Sequence, residues 1–338
     1  MSNLIKHIAA LFPGPVNTEK HINRTGLEVI FPFYHAVSDR VLPHTKHLYS
    51  LRSRQQFEDD LETLLGQFEP VKMSEFLEGK THGNSQRPPM VLSFDDGLIQ
   101  CYEEIMPVLK KKSIPATFFL NNAFIDNKAM FFRYKVSLLL ELLPDRSDHE
   151  KEKAAGILHC NVSELRKRLL SVSYFERDVT DQLAELWNYS FDDYLRMSPV
   201  YLFTPHINEM RDEGFEFGSH GIDHPLFSSL SAQTAIDHIR NSVFDLQSRY
   251  GLDYKYFAFP FTDYGVQDDT IDKLFRDGII EAGFGTAGLK EDRWPAYFQR
   301  VPMELMGLDA RKVLRGELNR RRIRKITGKN RVSRGKQN

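Results

Sequence analysis

Short apolar runs alternate with amphipathic helical stretches along most of this chain, and that alternation restricts it to a mainly parallel sheet flanked by helices. The apolar runs are "EVIFPFYHAV", "MVLSF", "ATFFLNN", "FEFGSH", "YKYFAFPF", "EAGFGTA" and "YFQRVPM". Between the first two, "SRQQFEDDLETLLGQF" reads as a helix. Ser53 caps it, Gln56 closes a capping box, and Phe57, Leu61, Leu64 and Leu65 share one face. Pro32 in the first run predicts a bulge or a strand end. Pro107 in "IQCYEEIMPVLKKK" predicts a kink or a short helix. Roughly seven strands with a single polar cluster favour a distorted parallel (β/α) barrel over an open sheet, with active residues at the carboxyl ends of the strands.

The alternation stops between about residues 129 and 205. There "FFRYKVSLLLELL", "VSELRKRLL" and "DQLAELWNYSFDDYLRM" are helical throughout, which predicts a helical insertion. Phe131, Phe132 and Tyr134 open it, and an aromatic run at a helix start reads as core before it reads as a ligand groove. The expected divisions are an N-terminal extension over 1–28, a barrel over 29–308 carrying the insertion, and a basic tail over 309–338.

The net charge of -1 over 338 residues hides an asymmetry. From Arg311 onward Glu317 is the only acid, so the remainder is net acidic. The tail reads as a solvated, frayed helix. Val313, Leu314, Leu318, Ile323 and Ile326 among its arginines also admit peripheral contact with an anionic membrane. No aromatic interleaving or reader module accompanies the charge, so no nucleic-acid partner is expected. Cys101 and Cys160 give no disulfide framework. The opening residues, with Leu4, Ile5, Ile8 and Leu11 broken by Lys6 and His7, are too polar for a leader or a span. These features predict a cytoplasmic protein, with membrane association admitted by the tail.

At the strand ends the chemistry gathers. "VLSFDDG" runs straight into two adjacent carboxylates, Asp95 and Asp96. Like charges side by side after an apolar strand cost free energy unless a cation or a catalytic task offsets them. His220 ends another strand, His224 follows in "SHGIDHP", His35 ends "VIFPFY", and Phe261 ends "YFAFPF". Two imidazoles and one carboxylate suit a borderline divalent ion, zinc foremost, cobalt or nickel also. The second carboxylate then stays free as a base.

"SFDDG" and "SHGIDHP" resemble the first two signatures of the polysaccharide deacetylases, the NodB-like carbohydrate esterases of family four. The resemblance implies a barrel, an Asp-His-His metal site, and removal of N-acetyl or O-acetyl groups from glycans. By position it makes Asp96, His220 and His224 the metal ligands and Asp95 the base. "FAFPF" resembles the third signature, so the Phe261 backbone N–H would bind the oxyanion. Ala258 stands where the family has arginine, and "FQRVPM" replaces the late leucine-x-histidine that supplies the acid. The "FYHAVSD" opening resembles the branch that begins with a tyrosine-histidine element, and it makes His35 the expected acid. Arg300 is expected to orient Asp95 in place of the missing arginine. The expected partner is an acetylated glycan or a lipid-linked precursor. Two other readings stay open: an amidohydrolase on a small non-sugar amide, and a glycan-binding module without activity.

Overall fold

In the computed structural model, residues 22, 25–80, 87–305 and 307–334 are described. Leu4, Ile5, Ile8 and Leu11, and nearly all of the expected 1–28 extension, lie outside them.

Apart from a small two-stranded pair, Glu69–Pro70 with Pro89–Met90, the strands form one sheet: β1 (Pro32–Tyr34), β2 (Leu92–Phe94), β3 (Ala116–Leu120), β4 (Glu216–Ser219), β5 (Tyr256–Ala258), β6 (Ala282–Gly285), β7 (Tyr297–Gln299) and β8 (Val301–Pro302). All pair in parallel, in the order β8-β1-β2-β3-β4-β5-β6-β7. β7 and β8 are one stretch of chain interrupted at Arg300. Its first half pairs with β6 and its second half with β1, Pro32 opposite Val301. The two edges of the sheet are thereby joined through a single residue. The result is a nearly closed barrel of seven staves, one of them split. Pro32 opens β1, where a missing N–H costs no ladder bond.

Side chains alternate across the wall, as the period of two requires. Phe94, Phe118 and Phe217 belong to the large core shared with the outer helices, together with Phe57 and Leu61 of the Arg54–Leu65 helix. Phe31, Val91, Phe119, Ala258, Ala282 and Phe284 form a second cluster that fills the barrel. Gly218 leaves room for it: a Cβ there would lie 2.6 Å from the Phe119 ring. The Arg54–Leu65 helix starts at the expected capping box on Ser53. Around Pro107 the chain forms a π-helical turn, Cys101–Ile105, before the short α-helix Met106–Lys112.

Between β3 and β4 the described chain forms helices and no strand. Five α-helices, from Phe132–Leu142 to Phe191–Met197, pack around their own core, which includes Phe131, Tyr134, Leu139, Leu183 and Trp187.

The tail departs from the expected solvated helix. Ala310–Ile326 is helical, and it buries Val313, Leu314 and Leu318 in the main core. Its inward arginines find acids: Arg320 pairs with Glu317 of the same helix, and others reach different segments. Arg321 pairs with Glu291, and farther on Arg334 pairs with Asp263 and Asp292. Partnering of this kind lets long basic side chains lie inside. Three of the five apolar residues that admitted membrane contact are therefore spent on packing; Ile323 and Ile326 remain exposed.

Candidate metal centre

Because every stave runs in the same direction, the carboxyl ends of β1, β2, β4 and β5 open at one mouth. His35 follows β1, Asp95 and Asp96 follow β2, His220 follows β4, and Phe261 comes three residues after β5. With His224 in the loop after β4, the barrel thus brings together the six residues expected as metal ligands, base, acid and oxyanion donor.

Asp96, His220 and His224 are buried, and one donor atom from each lies within 4.8 Å of the others. Both imidazoles turn Nε2 toward the same carboxylate oxygen: His224 at 3.2 Å and His220 at 3.6 Å from Asp96 Oδ1. That oxygen is buried and has no hydrogen-bond partner. The tautomer of His220 is fixed from behind. Its Nδ1 lies 2.8 Å from the Ala258 carbonyl oxygen, which only accepts, so Nδ1 carries the hydrogen and Nε2 keeps a lone pair. Burial lowers His220 to about 4, so the ring is neutral at pH 7. Burial works against the charge of Asp96, but His224, then His35 and His220, outweigh it and hold the carboxyl well below the usual range. An orphaned carboxylate oxygen facing two imidazole nitrogens fits a divalent cation of the zinc, cobalt or nickel kind.

Asp95 has the opposite surroundings. Arg300, fully buried at the split stave, donates Nη1 to Asp95 Oδ1 at 2.6 Å and Nη2 to Oδ2 at 2.8 Å. Its guanidinium lies over the Phe33 ring at 4.4 Å and near Phe119 at 5.1 Å. Burial would raise the Asp95 carboxyl; Arg300, then His220, hold it below the usual range. Arg300 thus meets Asp95 as the sequence led one to expect, at the point where the barrel closes.

His35 is held by a residue that the sequence reading missed. Glu304 Oε2 accepts from the His35 backbone N–H at 3.0 Å and lies 2.5 Å from its Nδ1, while Oε1 accepts from the Ala36 N–H. Burial pulls the imidazole pKa down, but the Glu304 carboxylate outweighs it and lifts His35 to about 9. His35 is therefore an imidazolium at neutral pH. The signal was present in "RVPMEL", an acid four residues beyond Arg300, but nothing local ties it to a histidine 269 positions away.

Phe261 sits half-exposed against His224, with ring centroids 4.5 Å apart. The Thr262 N–H reaches back to the Pro260 carbonyl at 2.6 Å around a Phe261 φ of 58°, a γ-turn with positive φ. No described group accepts from the Phe261 N–H. Asp96 (φ 71°) and His224 (φ 61°) share the left-handed backbone. Three non-glycine residues in this sparse region at one mouth mark a site where the fold stores strain. Below the His220–His224 loop, His238 Nε2 accepts from the Ile222 N–H at 2.8 Å and anchors it.

The sequence pattern of a family described as "Polysaccharide deacetylase" matches residues 82–278. No curated protein matches the chain. Among solved structures it resembles the Streptococcus pyogenes deacetylase PplD in complex with acetate, at TM-score 0.55 and 14% identity over 86% of this chain and 97% of that one. It also resembles IcaB from Ammonifex degensii, at TM-score 0.53 and 16% identity over 86% and 97%. A de-N-acetylase from Aggregatibacter actinomycetemcomitans aligns at TM-score 0.51 and 15% identity over 85% and 99%. At such identities these likenesses speak for the fold alone.

Proposed function

The chain belongs to the polysaccharide deacetylase family, and from that premise we propose that it is a metal-dependent hydrolase removing an N-acetyl group from a sugar of a glycan or lipid-linked glycan precursor. The observation that carries this reading is the orphaned Asp96 Oδ1 facing the Nε2 atoms of His220 and His224.

Asp96, His220 and His224 would hold the cation, zinc foremost. When bound, such an ion supplies Lewis acidity, which lowers the pKa of water and polarises an acyl carbonyl. Asp95 takes the proton of the attacking water. Its two oxygens keep lone pairs beyond those engaged by Arg300. Arg300 makes Asp95 a weaker base and fixes where it points. The Phe261 N–H, which has no acceptor among the described residues, donates to the oxyanion that forms as water adds to the carbonyl carbon. His35, kept protonated by Glu304, gives its proton to the nitrogen as the C–N bond breaks. Acetate and a free amine depart.

The test is acetate release from N-acetylhexosamine oligomers with added zinc or cobalt, abolished by Asp95→Asn. Formate or ammonia released from small amides, without acetate from sugars, would move the chain to the amidohydrolases. Glycan affinity without turnover would mark an inactive module.

Two further parts of the reading concern place. Cys101 and Cys160 are free thiols, in keeping with the cytoplasm; recovery of the protein outside the cell contradicts this. Exposed Ile323 and Ile326 lie among Arg322, Lys325 and Lys329, a surface that suits an anionic membrane carrying the substrate. Binding to anionic vesicles that survives replacement of both isoleucines by serine counts against that contact.

A further inference from the structure

The helical segment between β3 and β4 reaches the metal cluster through its first turn. Tyr134, in the Phe132–Leu142 helix, is fully buried and donates its hydroxyl to Asp96 Oδ2 at 2.9 Å. This is the oxygen that the two histidines do not face. A second hydroxyl, Tyr49 Oη, lies 2.7 Å from Tyr134 Oη. Proton accounting orders the pair. An ionised carboxylate only accepts, so Tyr134 spends its one hydrogen on Asp96 and Tyr49 must donate to Tyr134. The Tyr49 ring in turn lies against His35, centroids 4.9 Å apart. One residue before the helix, the Phe131 ring packs on His224 at 4.4 Å, and the Phe131 N–H donates to the Tyr201 hydroxyl at 3.0 Å.

Two of the three candidate ligands are therefore held by this one turn, Asp96 by a hydrogen bond and His224 by a ring face. We infer that Tyr134, oriented by Tyr49, is a positioning residue for the metal: it fixes the Asp96 carboxylate so that Oδ1 is left for the cation. The helical segment is then a wall of the site. It cannot swing away as a lid without releasing a ligand's support. This inference rests on the metal reading of the preceding subsection. It adds that metal affinity depends on a hydroxyl that touches neither metal nor substrate. Supporting hydrogen bonds of this kind typically account for about 10–100-fold in metal affinity.

The test measures zinc dissociation constants of the full chain by competition with a chromophoric chelator, for the unaltered protein, Tyr134→Phe and Tyr49→Phe. The metal-free melting temperature of each is recorded alongside. Tyr134→Phe is expected to weaken zinc about 10–100-fold while the metal-free melt stays close to that of the unaltered protein. Tyr49→Phe is expected to weaken zinc by less, because Tyr134 still donates. Should Tyr134→Phe fail to fold, the Tyr49→Phe constant decides alone. Zinc bound equally tightly by the unaltered protein and both variants overturns this inference and leaves the metal reading standing. An unaltered protein that binds no zinc overturns both.

Discussion

Asp95 and Asp96 are adjacent at the end of one strand, and the barrel gives them opposite neighbours. Asp95 has its counter-charge within the chain: Arg300 engages both of its oxygens. Asp96 has one oxygen held by Tyr134 and the other facing two imidazole nitrogens with no hydrogen bond. A buried carboxylate with a built-in counter-charge is balanced within the chain and held ionised, as the proposed base requires, whereas one with an open oxygen has room to accept a cation. The difference teaches how a fold gives two like residues different work. Successive residues leaving a strand point to different sides, so one faces the split stave and the other faces the β4 loop.

The largest predicted effect breaks the Asp95 side. Replacing Arg300 with methionine strands a buried carboxylate, and loss of one partner of such a pair costs about 3–5 kcal/mol. Denaturant unfolding should register that loss equally with and without zinc. Adding Asp95→Asn to the same chain should recover part of it.

The Asp96 side should behave in reverse. With zinc at about 100 times its dissociation constant, the unaltered protein should gain about 2.7 kcal/mol. Asp96→Asn should forfeit that gain, and its metal-free form should lose less than the Arg300 variant, because the amide oxygen can still accept from Tyr134 and no buried charge is left without a partner. A metal-free Asp96→Asn chain as damaged as the Arg300 variant would erase the contrast.

A third prediction sharpens the comparison by pH. His35 titrates at about 9 in the folded protein against an ordinary 6.5. Its pKa is raised on folding, so the stability it contributes is fully present below 6.5 and is lost as pH rises through about 9. As the acid of the reaction it should give an alkaline limb near the same pH. Glu304→Gln should move that limb down toward 6.5, read from pH profiles of kcat/KM. A limb that stays in place would remove His35 from that role.

The smallest effect is a control remote from both carboxylates. Ser53→Ala deletes the capping box of the Arg54–Leu65 helix and should cost about 1 kcal/mol. Zinc affinity should not change.

Much of this was legible in the sequence because it is local. Strands, their polar exits and the His220–His224 loop are contiguous patterns, and parallel pairing sends every carboxyl end to one mouth. Arg300 was readable only as a substitute for an expected arginine. Glu304 and Tyr134 were not readable in their roles, because their partners lie far along the chain and no spacing rule connects them. Tyr134 read as core and is core; that its hydroxyl meets Asp96 depends on where the insertion lands. The tail misled for a related reason. Its arginines look solvated until Glu291, Asp263 and Asp292 are brought against them from other segments.

The most direct measurement is an anomalous difference map at the zinc edge from crystals grown with zinc. A single strong peak within bonding distance of Asp96 Oδ1, His220 Nε2 and His224 Nε2, with none against Asp95, is the predicted result. A map with no peak among those three atoms, or a peak on Asp95 instead, would contradict the division of labour between the two aspartates.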